Sequence, residues 1–151
     1  MLETYYQDVI GENYCSLIEL AFKKCDKFAL VIQKSMFIND EWAMKFYHKN
    51  LGDIESSLIE MKEQSEWAVT ITEGTANVYY YELNDQTKQF LQTKSNSLFG
   101  WIKGLPEDLM FFSGDKVWLA VNSHEGYFLF NKELDSDGDF ENLFLNAFPQ
   151  T

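Results

Sequence analysis

Arginine is absent from this 151-residue chain, and all 12 basic residues are lysines. Without guanidinium forks there is no bidentate grip on a phosphate or carboxylate, which excludes an arginine-clamped phosphotransfer site. Basic charge is also scarce. The 24 acidic residues leave a formal net charge of −12. A surface of that sign repels a phosphate backbone, which argues against nucleic-acid binding, and it attracts a basic partner. Acidity that serves solubility alone has the same composition.

Cysteine, histidine, proline and glycine are sparse too. Cys15 and Cys25 form no CxxC pair, and two cysteines make no disulfide framework. The only histidines are His48 and His124, and the helical HExxH spacing of a zinc site is missing. Gly100 and Gly104 are too isolated for a phosphate loop, and there is no GxSxG elbow. No cofactor or metal is expected on these grounds. Met1-Leu2-Glu3-Thr4 lacks the basic and apolar regions of a signal peptide, and no apolar run reaches membrane-spanning length. The expected setting is soluble, reducing and cytoplasmic, with no membrane partner.

Apolar surface is plentiful. Hydrophobic residues make up 46% of the chain, with 13 Phe, 8 Tyr and 4 Trp. Such a chain can bury a thick core as one domain over residues 1–151. Tyr14, Leu17, Ile18, Ala21, Phe22 and Cys25 mark one apolar face of a helix over residues 13–25, with Asn13 as its cap. That places Cys25 toward the core, as an inert thiol. Phe28–Ile32 reads as a buried strand. Asn39-Asp40 opens a helix carrying Trp42, Phe46 and Tyr47. Gly52-Asp53 interrupts it, and Ile54, Leu58 and Met61 suggest a second helix.

Residues 67–72 and 76–81 read as a hairpin turning at Glu73-Gly74-Thr75, with Tyr79 and Tyr81 on one face and Tyr80 on the other. Asn84-Asp85 caps a helix containing Phe90 and Leu91. Leu98, Trp101 and Ile102 add an apolar turn that Pro106 ends. Strands 109–112, 117–122 and 127–131 follow with short connections, the pattern of an antiparallel meander. The apolar tail (Phe140, Leu143, Phe144, Leu145, Phe148) docks as a short helix or strand. The expected fold is α+β: a largely antiparallel sheet with a C-terminal three-stranded meander and helices packed on one face.

The meander carries the candidate site. If 109–112 pairs with 117–122, the start of the first strand meets the end of the second. Asp108 then neighbours Asn122 to His124. A carboxylate beside a histidine orients the ring and supports general acid–base work. Glu107, Asp108, His124 and Glu125 are therefore the candidate binding residues, with Trp118 or Trp101 as an aromatic rim. His124 and Asp108 are the candidate catalytic pair, although no nucleophile or metal ligand accompanies them. The blander expectation is a backbone-capping Asp108 and a satisfied turn histidine. Ser123-His124 cannot be two members of a triad, because neighbouring strand side chains point apart. Asp135, Asp137 and Asp139 alternate like calcium-loop ligands, yet Phe140 stands where a Gly is needed and Asn146 where a Glu is needed. A solvated acidic turn is expected there.

Four short motifs, Ser65-Glu66-Trp67, Val78-Tyr79-Tyr80-Tyr81, Leu105-Pro106-Glu107-Asp108-Leu109 and Ser123-His124-Glu125, occur in this order. Over roughly residues 15–131 the chain resembles a family of small, cytosolic-looking bacterial proteins of unknown function. Some members are automatically labelled stage III sporulation protein AH. The family pattern has Pro-Gly where this chain has Ala68-Val69, and a cysteine where it has Met110. The resemblance implies a bacterial origin and a shared fold, and no chemistry.

The missing motifs argue against an enzyme. The leading expectation is a non-enzymatic, immunity-like protein-binding module for a basic partner, its carboxylates steering the encounter and its exposed aromatics anchoring it. One alternative is an enzyme or small-ligand domain built on Asp108 and His124. Another is a structural domain that self-associates through aromatic surface.

Overall fold

A computed structural model describes residues 2–147. In chain order the elements are β1 (Leu2–Tyr5), α1 (Gly11–Lys24), β2 (Lys27–Gln33), α2 (Asp40–Leu51), β3 (Leu58–Trp67), β4 (Thr70–Glu82), α3 (Asp85–Lys94), β5 (Glu107–Ser113), β6 (Lys116–Asn122), β7 (Tyr127–Asn131) and α4 (Asp139–Ala147). Phe28 to Ile32 are buried on both sides of β2. A strand with two apolar faces belongs inside a covered sheet. β2 lies there, in the order β1-β7-β6-β5-β2-β4-β3, and every neighbouring pair is antiparallel. The fold is α+β, with β5-β6-β7 as the expected meander.

The two faces are covered differently. Phe28, Leu30, Ile32, Tyr79, Tyr81, Phe111 and Leu119 face a core completed by Tyr14, Leu17 and Ile18 of α1, Tyr47 of α2, Phe90 and Leu91 of α3, and Phe140 of α4. A buried polar string ties this layer together. Trp101 donates its indole N–H to Tyr14 Oη at 2.9 Å, and Tyr14 donates to the Leu91 carbonyl at 2.6 Å. The opposite face holds a smaller cluster of Ala29, Val31, Trp67, Ala76, Val78, Met110 and Ala120. Tyr79 and Tyr81 face the first core, and Tyr80 packs against the second, as alternation requires.

Local chemistry sets several boundaries. Asn39 accepts from the Trp42 backbone N–H at 3.0 Å and caps α2. Asn84 and Thr87 form a reciprocal capping box on α3. α1 begins before the expected Asn13. Its cap position is Ile10, with no side-chain cap, and Gly11 opens it at φ +61°, a conformation open to glycine. Burial pushes the Cys25 thiol at its end far above the usual range, which keeps it protonated and unreactive at neutral pH.

Two expectations are corrected. Residues 52–57 form a 3-10 turn and Leu58–Trp67 a strand, where Ile54, Leu58 and Met61 suggested a helix. The spacing fitted a helix, but pairing with Tyr81 and Tyr79 of β4 takes Leu58 and Met61 into the sheet. The hairpin turns at Ala68-Val69, not at Glu73-Gly74-Thr75, which lies inside β4. There the register jumps, with Gln64 opposite Ala76 but Glu66 opposite Ile71. β1 is an addition: four residues that pair with β7. The apolar tail docks as α4, with the Phe140 ring stacked on Phe130 at 3.7 Å. Phe148 lies outside the described residues. No helix among them is long and apolar enough to cross a membrane.

Candidate functional site

A bulge in β5 creates the site. Met110 pairs with Ala29 and Glu107 with Val31, so Asp108 and Leu109 together oppose Leu30. Asp108 takes the left-handed conformation at φ +53°, which Asp and Asn tolerate better than other side chains. In a regular strand Glu107 and Asp108 would point to opposite faces. The bulge turns both toward the face of Val31 and Trp67.

The fold uses Asp108 almost completely. Its Oδ1 accepts from the Ser123 backbone N–H at 3.0 Å. Its Oδ2 accepts from the Trp67 indole at 2.9 Å and from the Thr70 hydroxyl at 3.3 Å. The Asn122 side-chain amide also donates to the Val69 carbonyl at 3.2 Å. The tip of the β3–β4 hairpin is thus strapped across the sheet onto the ends of β5 and β6. Burial lifts the Asp108 carboxyl above its ordinary range, while the Ser123, Trp67 and Thr70 donors oppose that lift.

Glu107 is buried but not used up. Its Oε1 accepts from the Gln33 side-chain amide, and its Oε2 lies 2.6 Å from His124 Nε2. Each oxygen thus has one partner, and the side chain is 4% exposed. Burial lifts its carboxyl above the usual range, opposed by Gln33 and His124. No lysine pairs with it or with Asp108 among the described residues. Glu107 also lines a cavity of about 110 Å³ whose other walls include Val31, Met36, Phe37, Phe46 and Leu105. The His124 side chain is 48% exposed.

The sequence-derived candidates therefore separate. Glu107, Asp108 and residues 122–124 do meet at one end of β5 and β6. The hydrogen-bonded partner of His124 is Glu107, whereas Asp108 holds the backbone of Ser123. Glu125 is exposed beside them, its backbone N–H bonded to Asn122 Oδ1. Trp118 does not rim the site. A second bulge, where Phe111 pairs with Leu119 but Phe112 with Val117, turns it into the helix-covered core between Phe111, Phe130 and Phe140. Trp101 is buried in the same core. Gln33, Trp67 and Thr70 join the site without any local signal, because only the strand pairing brings them there.

Chemically, the arrangement offers a partly open carboxylate, a half-exposed imidazole and an apolar recess. Its hydroxyls are those of Thr70, which donates to Asp108 Oδ2, and Ser123. The Ser123 hydroxyl is buried and accepts from the Asp108 backbone N–H at 3.4 Å. Among the described residues no group of three or more His, Cys, Asp or Glu is placed to hold a metal ion. The acidic turn serves local structure: Asp135 accepts from the backbone N–H groups of Phe140 and Glu141 at the start of α4, and Asp137 and Asp139 pair with Lys24. No family model matches this chain, and no curated protein or solved structure matches it either.

Proposed function

We propose that this protein is a non-enzymatic binding module for a basic protein. The observation that carries the reading is Glu107, a buried acidic residue at the wall of an apolar recess, bonded to Gln33 and His124 but paired with no lysine among the described residues. Leaving a carboxylate in that state costs stability. An incoming cation recovers that cost on binding. The surplus of 24 acidic residues over 12 lysines extends the attraction over longer range and speeds encounter. An immunity-like role, in which the module neutralises a basic partner, fits this chemistry.

The test is capture at low ionic strength with the full chain, identification of the retained protein, and titration of the two purified components by calorimetry. A basic partner should bind, and the affinity should fall as salt shortens the Debye length below about 10 Å. Retention of no partner, or binding to a neutral or acidic protein that ignores salt, rejects the reading.

The 2.6 Å contact between Glu107 and His124 favours a second reading, a small-ligand site with His124 as its acid–base group. It requires a ligand that perturbs the ring signals of His124 in an NMR fragment screen. A screen in which every bound fragment leaves those signals unmoved removes it.

A further inference from the structure

We propose that the cavity beside Glu107 is a socket for one lysine or arginine side chain of a protein partner, and that the exposed Met36 and Trp42 form its rim. This rests on the basic-partner reading and specifies where and how the partner is held. A long basic side chain has an apolar stem and a charged head. The cavity has both parts: apolar walls from Val31, Phe37, Phe46 and Leu105, and Glu107 as its acidic wall residue. Its volume of about 110 Å³ suits one side chain. Small-molecule sites begin near 300 Å³, so a cofactor is not the occupant.

The rim supplies what an anchor alone lacks. Met36, which lines the socket, and Trp42, which lines the recess beside it, are 58% and 54% exposed. Phe37 and Phe46 line the socket and also a neighbouring recess with Trp42, Lys45 and Lys49, so rim and socket adjoin through these two rings. Trp and Met at the edge of a recess that takes a basic anchor match the make-up of interface hot spots. Of the two lysines in that recess, Lys45 pairs with Glu41 at 3.6 Å and lies over the Trp42 ring. Charge selects the occupant. A second copy carries the same net charge of −12, and an anionic membrane or nucleic acid is repelled as well. A basic protein is attracted.

The probes are n-butylguanidinium and n-butylammonium, with n-butanol and butyrate as neutral and anionic counterparts. Each is titrated into the full chain while the Met36 methyl and Trp42 indole signals are followed by NMR. Saturable binding of the cations is expected, with n-butanol and butyrate weaker by roughly tenfold or more, the scale of one charge-assisted contact. Glu107→Gln should abolish the preference for the cation. Met36→Trp, a change at an exposed position, should block entry and covers the case in which Glu107→Gln fails to fold. The captured partner should bind Glu107→Gln and Trp42→Ala at least about tenfold more weakly than wild type.

Butyrate binding as well as the cations, or cation binding that survives both substitutions in the socket, overturns the assignment. A basic partner that binds wild type and all three variants equally overturns the socket and leaves the basic-partner reading standing. Cation binding with no basic protein retained overturns that reading and reassigns the cavity to a free organic cation. Dimerisation in sedimentation that Glu107→Gln abolishes gives the socket to a second copy and overturns the proposed partner.

Discussion

Trp67 donates its indole N–H to Asp108 Oδ2 at 2.9 Å, across 41 positions of sequence. This bond ends the strap that carries the β3–β4 hairpin over the sheet. Trp67→Phe keeps an aromatic ring and removes the donor. The expected loss is about 1.5–3 kcal/mol, the range for hydrogen bonds to charged groups. It should appear as a lower urea midpoint with an unchanged slope. Because the strap is local, amide exchange across residues 67–70 should speed more than exchange in β2. Equal acceleration in both places would show that the bond does not hold the strap separately.

Backbone and side chain make separate demands at Asp108. The side chain accepts three hydrogen bonds, and the backbone sits at φ +53°. Asp108→Gly and Asp108→Ala both delete the acceptors, but glycine adopts that conformation freely while alanine is penalised by about 1–2 kcal/mol. Glycine should therefore be the milder of the two. Asp108→Asn, which tolerates the conformation and keeps one acceptor, should be milder still. Chemical denaturation of the three variants gives the order, and an alanine variant as stable as the glycine variant contradicts the strained-bulge account.

Burial raises both the Glu107 and the Asp108 carboxyls. A raised value means that the native state holds these protons more tightly than the unfolded chain. From the ordinary carboxyl range near about 4 up to the raised native values, the unfolded chain binds fewer protons, so stability falls as pH rises. The contribution is complete below that window and lost above it. A Glu107→Gln, Asp108→Asn double variant does not titrate there. The stability of wild type relative to this variant should decline as pH rises from about 4 and then level off. General repulsion among the other carboxylates is common to both proteins and cancels. Urea titrations over a pH series test the sign, and a relative stability that rises with pH refutes it.

These carboxylates also mark how far the sequence could be read. Wherever one local pattern decided the structure, it was legible: the caps Asn39 and Asn84, the alternation through Tyr79 to Tyr81, and the meander that brings Asp108 toward Ser123 and His124. The bulge was not legible, because it exists only in the register between β5 and β2, elements about 80 residues apart. Without the bulge His124 reads as the partner of Asp108, and with it the partner is Glu107. β3 was hidden by a chance helical spacing that its pairing with β4 overrode. β1 is too short to carry a pattern of its own. The site thus depends on three non-local facts: a register shift, a folded-back hairpin and a cavity completed by residues 36–46.

Asn84 offers a test of the local part. Its Oδ1 accepts from the Thr87 backbone N–H at 2.9 Å, and its Nδ2 donates to Ser57 Oγ at 2.9 Å. Asn84→Ala removes the cap and the contact to Ser57, and should cost about 1–2 kcal/mol. Asn84→Asp keeps a capping oxygen and should retain most of that stability. Thermal or urea unfolding separates the two, and an alanine variant as stable as the aspartate variant would deny the cap its role.

Trp118 and Trp101 are buried in the same core but differ in one atom's circumstances. The Trp101 indole N–H donates to Tyr14 Oη at 2.9 Å, whereas the Trp118 Nε1 is buried without a hydrogen-bond partner. Replacing each by Phe removes similar apolar surface and one N–H. At 101 the change discards a hydrogen bond, worth about 1 kcal/mol net. At 118 it discards an unsatisfied donor, whose burial carries a penalty of about 1–3 kcal/mol that the variant no longer bears. Trp118→Phe should therefore be the less destabilising, by about 1 kcal/mol or more. Because Trp118 does not line the Glu107 recess, the same variant should also leave binding of butylguanidinium there unchanged. Denaturation measures the first difference and NMR titration the second. A Trp118→Phe protein that is stable but binds the probe more weakly would show that Trp118 shapes a recess it does not line.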